Sequence, residues 1–267
     1  MTEAMPAIEE PAGGAVVKSA ARALEVLELF RAERRQLTAA EIGHALGYPK
    51  SSTNALLKSL VTLGYLVLDP RSLRYFPSIS VTALGDWIPA TLLASRDALA
   101  VVNEVHAATQ ETVTLSVLSD LSVSFLKVLP GTFPISLSMT EGFVAPLFTT
   151  SVGLAILSQL DDEEITALMV RYNIRSRRRN DRVEIEELLH EVAGIRERGY
   201  AVRYDAVFPD TAAIGVPFPS PMPGFPLALG VGGLRDRIRR NEQAIQRAIQ
   251  GILIRHFGRN YRRRITA

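Results

Sequence analysis

The stretch Leu37–Tyr75, LTAAEIGHALGYPKSSTNALLKSLVTLGYLVLDPRSLRY, predicts the fold of the N-terminal part of the chain. Two short segments with helical spacing of apolar residues are separated by Gly47-Tyr48-Pro49, and two strand-like segments follow around Asp69-Pro70. Two helices joined by a tight turn and followed by a β-hairpin are the order of a winged helix-turn-helix. This module places its second helix in the major groove of DNA, so we expect sequence-specific DNA binding.

The first helix of this pair has a start signal and a stop signal. Thr38 and Glu41 form a capping box, in which the Thr38 hydroxyl accepts from the Glu41 amide and the Glu41 carboxylate accepts from the Thr38 amide. Gly47 ends the helix because glycine adopts positive φ without strain. A preceding helix is expected from Ala20 to about Arg34.

The second helix is predicted from Pro49 to about Leu63, and its two faces differ. Leu56, Leu60 and Leu63 recur at helical spacing and are expected to be buried. The opposite face carries small and polar residues, which are Ser51, Asn54, Ala55, Lys58 and Thr62. A face without bulky groups suits entry into a groove, although such a face can also be a plain solvated surface.

Ten residues are expected to contact DNA. They are Lys18, Arg22, Thr38, Lys50, Ser51, Ser52, Asn54, Lys58, Arg71 and Arg74. Asn54 can bond an adenine edge in bidentate fashion, and the serines and lysines are placed for phosphate or base contact. Arg71 and Arg74 are expected to project from the hairpin tip, the alternative being an ordinary hairpin with solvated arginines. The segment from Val16 to Pro77 contains nine Lys and Arg residues and five Asp and Glu residues, so it is positively charged overall.

The composition limits the possible classes of protein. At 267 residues the chain has room for two domains, and it contains no apolar run long enough to cross a membrane. Without cysteine it has no disulfides, thiol nucleophiles or Cys-type zinc sites. Residues 1–15 read as a disordered leader rather than a signal peptide, and residues 258–267 as a basic tail. We expect a cytoplasmic protein that does not bind membranes.

No catalytic constellation is evident in the sequence. The four histidines are scattered, no Gly-x-Ser-x-Gly motif frames a nucleophile, and phosphate-binding glycine loops of the Walker or Rossmann type are missing. We therefore expect neither an enzyme nor a bound cofactor or metal.

Four segments resemble the IclR family of bacterial transcriptional regulators. They are VVKSAARALEVLELF (16–30), GYPKSSTNALLKSLVTLGYLVLDPRSLRY (47–75), EGFVAPLFTTSVGLAIL (141–157) and GIRERGYAVRYDAVFPDTAAIGVPF (194–218). The resemblance implies an α+β protein with an N-terminal winged helix-turn-helix (16–78), a linker helix that helps to dimerise (79–98) and a C-terminal GAF-like α/β effector-binding domain (99–257).

The local pattern agrees with that plan. Residues 81–109 are helical in pattern with a break at Pro89, and the following segments alternate between strand and helix character. Expected strands are 112–119, 122–129, 135–139, 200–204, 211–216 and 225–231, and expected helices are 151–160, 162–171, 183–198 and 236–257.

The region that resembles the family's effector pocket departs from the family pattern. Phe148-Thr149-Thr150-Ser151 replaces a common His-Ala-Thr-Ala run, and Ala213 replaces a common cysteine, so most polar groups for a carboxylate or metal are lost. The expected lining is Leu115, Val117, Phe125, Lys127, Leu137, Met139, Phe148, Thr149, Asp205, Val207 and Ala213. This composition favours an apolar effector larger than a small organic acid, the alternative being that these residues fill a core.

The sequence therefore predicts a regulator that binds a pseudo-palindromic double-stranded DNA operator as a homodimer or homotetramer and responds to a small, rather hydrophobic effector. The alternative is a DNA-binding regulator whose C-terminal domain is an oligomerisation or protein-partner module without an effector.

Overall fold

A computed structural model describes residues 17–93, 96–176, 182–259 and 261, and the chain divides into two compact units between Ile88 and Pro89. The expected leader, 1–15, and most of the expected tail, 258–267, lie outside the described residues. The domain boundaries expected from the sequence stay predictions.

The first unit is a winged helix-turn-helix, as predicted. Its elements are α1 (Lys18–Glu33), β1 (Leu37–Thr38), α2 (Ala39–Leu46), α3 (Lys50–Thr62), β2 (Leu66–Asp69), β3 (Arg74–Pro77) and α4 (Ile79–Ala83). The strands form an antiparallel sheet in the order β1-β3-β2. Phe30 of α1, Leu57 of α3 and Leu66 of β2 are buried in one shared core. This core fixes α3 against the other elements of the unit.

The segment expected to be a linker helix consists of short helices. After α4 the chain forms a turn over residues 84–86, and α5 (Trp87–Leu92) follows. The expected break at Pro89 is wrong, because Pro89 is the third residue of α5. In the first turn of a helix the backbone N–H has no partner within the helix, so a proline there removes no hydrogen bond.

The second unit is one antiparallel sheet between two layers of helices. Its elements are α6 (Arg96–Thr109), β4 (Thr112–Ser119), β5 (Ser122–Leu129), β6 (Val144–Pro146), α7 (Ser151–Leu157), α8 (Asp162–Arg175), α9 (Ile185–Arg198), β7 (Ala201–Tyr204), β8 (Thr211–Phe218), β9 (Leu227–Leu234) and α10 (Arg235–Phe257). The strand order is β6-β5-β4-β9-β8-β7. One face packs on α6 and α10 and the other on α7, α8 and α9, so the prediction of an α+β protein is confirmed.

The strand expected at residues 135–139 is not formed. Backbone carbonyls of this segment are bonded by side chains instead: Thr112 Oγ1 donates to Leu137 O over 2.9 Å, and Arg237 Nη2 donates to Ile135 O over 3.2 Å. The strand that pairs with the outer edge of β5 is β6. Segment 131–140 is therefore irregular chain.

Candidate DNA interface and ligand cavity

The face of α3 that the sequence assigns to DNA is exposed to solvent. Its exposed residues are Ser51, Asn54, Ala55, Lys58 and Thr62. The opposite face buries Thr53, Leu57 and Leu60. Leu63 is 68% exposed, which corrects the expectation that it is buried, because α3 ends at Thr62 and Leu63 caps it.

Two basic residues, Lys50 and Arg22, lie at the start of α3. Lys50 is its exposed first residue and lines a groove with His44, Tyr48 and Asn54. The guanidinium of Arg22 lies 4.8 Å from the centre of the Tyr48 ring, so this side chain is held against the groove wall. Ser51 is exposed, and Lys18 is exposed at the start of α1.

Three of the residues expected at DNA have other partners. Ser52 Oγ donates to the carbonyl of Pro49 over 2.9 Å. The Thr38 hydroxyl belongs to the predicted capping box, with 3.2 Å from the Glu41 amide to Thr38 Oγ1 and 2.7 Å from the Thr38 amide to Glu41 Oε2. Arg74 Nη1 donates to Gln36 O over 3.1 Å and lies 3.4 Å from Glu41 Oε2. These bonds correct the expectation that Arg74 projects from the hairpin tip.

Glu41 joins the start of α2 to the wing. The Thr38 amide, followed by the Arg35 guanidinium at 2.7 Å, lowers the pKa of Glu41 to about 2. The carboxylate therefore stays charged at neutral pH and holds both Arg35 and Arg74. Arg71, by contrast, is exposed in the turn, which Asp69 closes by accepting from the Arg71 amide over 3.0 Å.

The second unit contains a cavity of about 60 Å³ between the sheet and the start of α7. It brings together five of the predicted residues, which are Phe125, Leu137, Met139, Val207 and Ala213. Phe208 also lines it. The ring of Phe143 lies between those of Phe208 and Phe125, with its centre 6.2 Å from that of Phe208 and 5.3 Å from that of Phe125. Most of the wall is thus apolar.

Leu115, Val117 and Lys127 do not line the cavity, which corrects the expectation. Leu115 and Val117 lie on the other face of the sheet, in the core with α6 and α10. The register shifts between Leu115 and Ser116, so that Lys127 is opposite Leu115 whereas Phe125 is opposite Ser116. Such a bulge exchanges the faces of a strand, and Lys127 pairs with Glu141 over 2.7 Å instead.

Phe148, Thr149 and Asp205 are also absent from the cavity wall. Phe148 is buried with α7–α9, its ring 4.8 Å from that of Tyr172. Thr149 is exposed and its neighbour Thr150 lines the cavity. Asp205 accepts from Arg235 Nη2 over 2.6 Å.

The sequence reasoning missed the polar part of the wall. Thr114, Ser151, Thr211 and Arg203 line the cavity. Thr114 alternates with Leu115 along β4, and since both faces of this strand are buried, composition could not show which face holds the cavity. The guanidinium of Arg203 donates to Glu191 of α9.

In the described part of the chain, no group of three or more His, Asp and Glu side chains is arranged to hold a metal ion. Among its helices, none combines the length and the apolar character needed to cross a membrane.

Comparison with known proteins identifies both units. Residues 94–253 match the model of the bacterial transcriptional regulator IclR C-terminal domain, and residues 19–70 match that of the IclR helix-turn-helix domain. Among curated relatives, the HTH-type transcriptional regulator KipR of Bacillus subtilis is 28% identical over 75% of this chain and 79% of its own. The HTH-type transcriptional regulator TsaQ1/TsaQ2 of Comamonas testosteroni is 29% identical over 78% of this chain and 74% of its own.

Solved structures share the fold. An IclR family transcriptional regulator from Brucella abortus has a TM-score of 0.72 and 25% identity, over 90% of this chain and 91% of its own. An IclR homolog from Microbacterium hydrocarbonoxydans, complexed with 4-hydroxybenzoate, has a TM-score of 0.65 and 22% identity, over 88% of this chain and 97% of its own.

Proposed function

Because the chain belongs to the IclR family of bacterial transcriptional regulators, whose members are DNA-binding regulators and not enzymes, we propose that it reads a pseudo-palindromic operator as a dimer or a dimer of dimers. The observation that carries this proposal is the exposed face of α3, on which Asn54 lies between Lys50 and Lys58. In this arrangement Asn54 contacts a base edge, and the two lysines, together with Arg71 of the wing, contact phosphates.

The surface of the linker segment supports self-association. Ile79, Leu84 and Trp87 are 82%, 57% and 58% exposed. Large apolar side chains that cluster on a short segment mark an interaction site more often than isolated ones do. We propose that two copies of α4 and α5 meet there and so place two recognition helices on one operator.

The second unit is proposed to bind a small effector in its cavity. The Microbacterium hydrocarbonoxydans homolog is complexed with 4-hydroxybenzoate, and the apolar wall here suits a ligand with an apolar body. At about 60 Å³ the cavity gives no support for a ligand larger than a small organic acid. Regulation requires that the effector bind two arrangements of the protein with different affinity.

In vitro selection of DNA by the purified full-length chain tests the DNA part of the proposal. The expected result is a short pseudo-palindrome whose half-sites lie one or more helical turns apart. Binding that weakens with salt but shows no sequence preference would overturn the role of α3. Addition of candidate effectors to the selected operator then tests the second unit, since an effector must change the affinity for DNA.

A further inference from the structure

We propose that the cavity of the second unit selects an uncharged ligand, and that the pairing of Arg203 with Glu191 sets this selection. The inference rests on the proposed effector function and specifies the chemical class of the effector. It predicts an apolar body of at most one ring that carries a hydroxyl, carbonyl or amide group.

The ion pair of Arg203 with Glu191 disfavours binding of a carboxylate in the cavity. Of the described residues that line the cavity, Arg203 alone is charged. Its Nη2 donates to Glu191 and its Nη1 donates to Val202 O over 3.2 Å. A carboxylate that entered would lose its hydration without gaining an uncommitted cation, and an ion buried without a partner is unfavourable.

Two hydroxyl groups provide a polar contact for a neutral ligand. The side chains of Thr114 and Ser151 are almost fully buried, with 3% and 2% exposed, and neither forms a side-chain hydrogen bond to a described residue. The neighbouring hydroxyls of Thr150 and Thr211 already donate to backbone carbonyls, over 2.7 Å and 2.6 Å. Because a hydroxyl both donates and accepts, Thr114 and Ser151 can satisfy a carbonyl, amide or alcohol.

The size of the cavity limits the ligand further. Its volume of about 60 Å³ is below the roughly 150 Å³ of an engineered cavity that holds benzene. A short branched chain fits this space better than a ring. A single ring requires Leu137 and Met139 to shift, and both lie on the irregular segment 131–140.

Matched pairs of neutral and charged probes test the proposal on the full-length protein. Isobutyramide against isobutyrate and benzamide against benzoate differ in charge with nearly the same shape. Titration calorimetry at pH 7.5 identifies the amide that binds more tightly. We expect this amide to bind at least 10-fold more tightly than the acid of the same pair. An acid that binds as tightly as its amide would overturn the charge selection while leaving the effector function in place. If the protein selects its operator but binds no probe, the charge selection and the proposed effector site are both overturned.

The variant Glu191→Gln tests the role of the ion pair. It releases Arg203, so binding of isobutyrate or benzoate should strengthen by about 10-fold while binding of the amides stays unchanged. Glu197→Gln removes the same charge from an exposed position of α9 and should alter neither. If Glu191→Gln leaves the ratio of acid to amide affinity unchanged in a protein with the wild-type unfolding temperature, Arg203 and Glu191 do not set the selection.

Discussion

Helix α3 and strand β4 carry parts of the two candidate sites, and they differ in how far the sequence determines which side chains face the site. In α3 one side faces solvent, so Asn54 and Leu57 contrast in polarity at helical spacing. In β4 both sides are buried, so Thr114 and Leu115 face opposite layers of the unit without a comparable contrast. The spacing of polar and apolar residues therefore predicts which side chains face a surface site. Inside a sheet that is buried on both faces, the strand register decides which side chains face the site.

The largest loss of stability is expected when the buried carboxylate of Glu111, in the second unit, loses its partner. Glu111 is 2% exposed and pairs with Arg237, which also lies 4.1 Å from the centre of the Phe133 ring. Arg237→Ala leaves the carboxylate buried without its partner, and we expect a loss of about 3–5 kcal/mol in urea unfolding. Arg240→Ala, at an exposed position on α10, is the control. Equal losses in both variants would contradict the importance of the buried pair.

A buried leucine of α3 and the exposed leucine that follows the helix are compared by two variants. Leu57→Ala removes a side chain that is fully buried in the first unit, so a loss of about 2–5 kcal/mol is expected. Leu63→Ala removes an exposed side chain and should change the free energy of unfolding by less than about 0.5 kcal/mol. Urea unfolding followed by circular dichroism measures both. A large loss in Leu63→Ala alone would contradict the burial of Leu57 and the exposure of Leu63.

The surface of α3 is tested with the selected operator. Asn54→Ala should relax specificity at one base pair, which corresponds to about 1–3 kcal/mol of discrimination. Lys58→Ala should weaken binding to operator and random DNA alike and make the dependence on salt shallower. Fluorescence anisotropy with matched and mismatched duplexes distinguishes the two effects. Equal loss on operator and random DNA in Asn54→Ala would refute a base contact by this residue.

The smallest effect concerns pH and the start of α2. The pKa of Glu41 is lowered to about 2 by the Thr38 amide and the Arg35 guanidinium, so its contribution to stability is present above its unfolded pKa and is lost as pH falls toward 2. The melting temperature of the protein should therefore fall between pH 4.5 and 3, and this fall should be less steep in Glu41→Gln. The control Glu25→Gln, on α1, should show the same dependence of melting temperature on pH as the wild type. If Glu41→Gln also shows the wild-type dependence, Glu41 does not contribute to stability in this way.

The accuracy of the sequence predictions follows the same contrast. Thr38 and Glu41 are three residues apart and need no distant partner, so their capping box could be predicted. The segment 135–139 alternates like a strand, yet Thr112 and Arg237 bond its carbonyls from elsewhere in the chain. The expectation that Lys127 lines the cavity is wrong because a bulge exchanges the faces of β5. The interactions that decided these cases join residues distant in sequence, which local periodicity does not report.

The irregular segment 131–140 has a consequence for how this protein can evolve. Leu137 and Met139 reach the cavity from a stretch that forms no strand ladder, and side chains bond the carbonyls of Ile135 and Leu137. Substitutions there reshape the wall without removing a ladder hydrogen bond from the sheet. New ligand preferences can therefore arise by single mutations at little cost in folding, while α3 and its operator are left untouched.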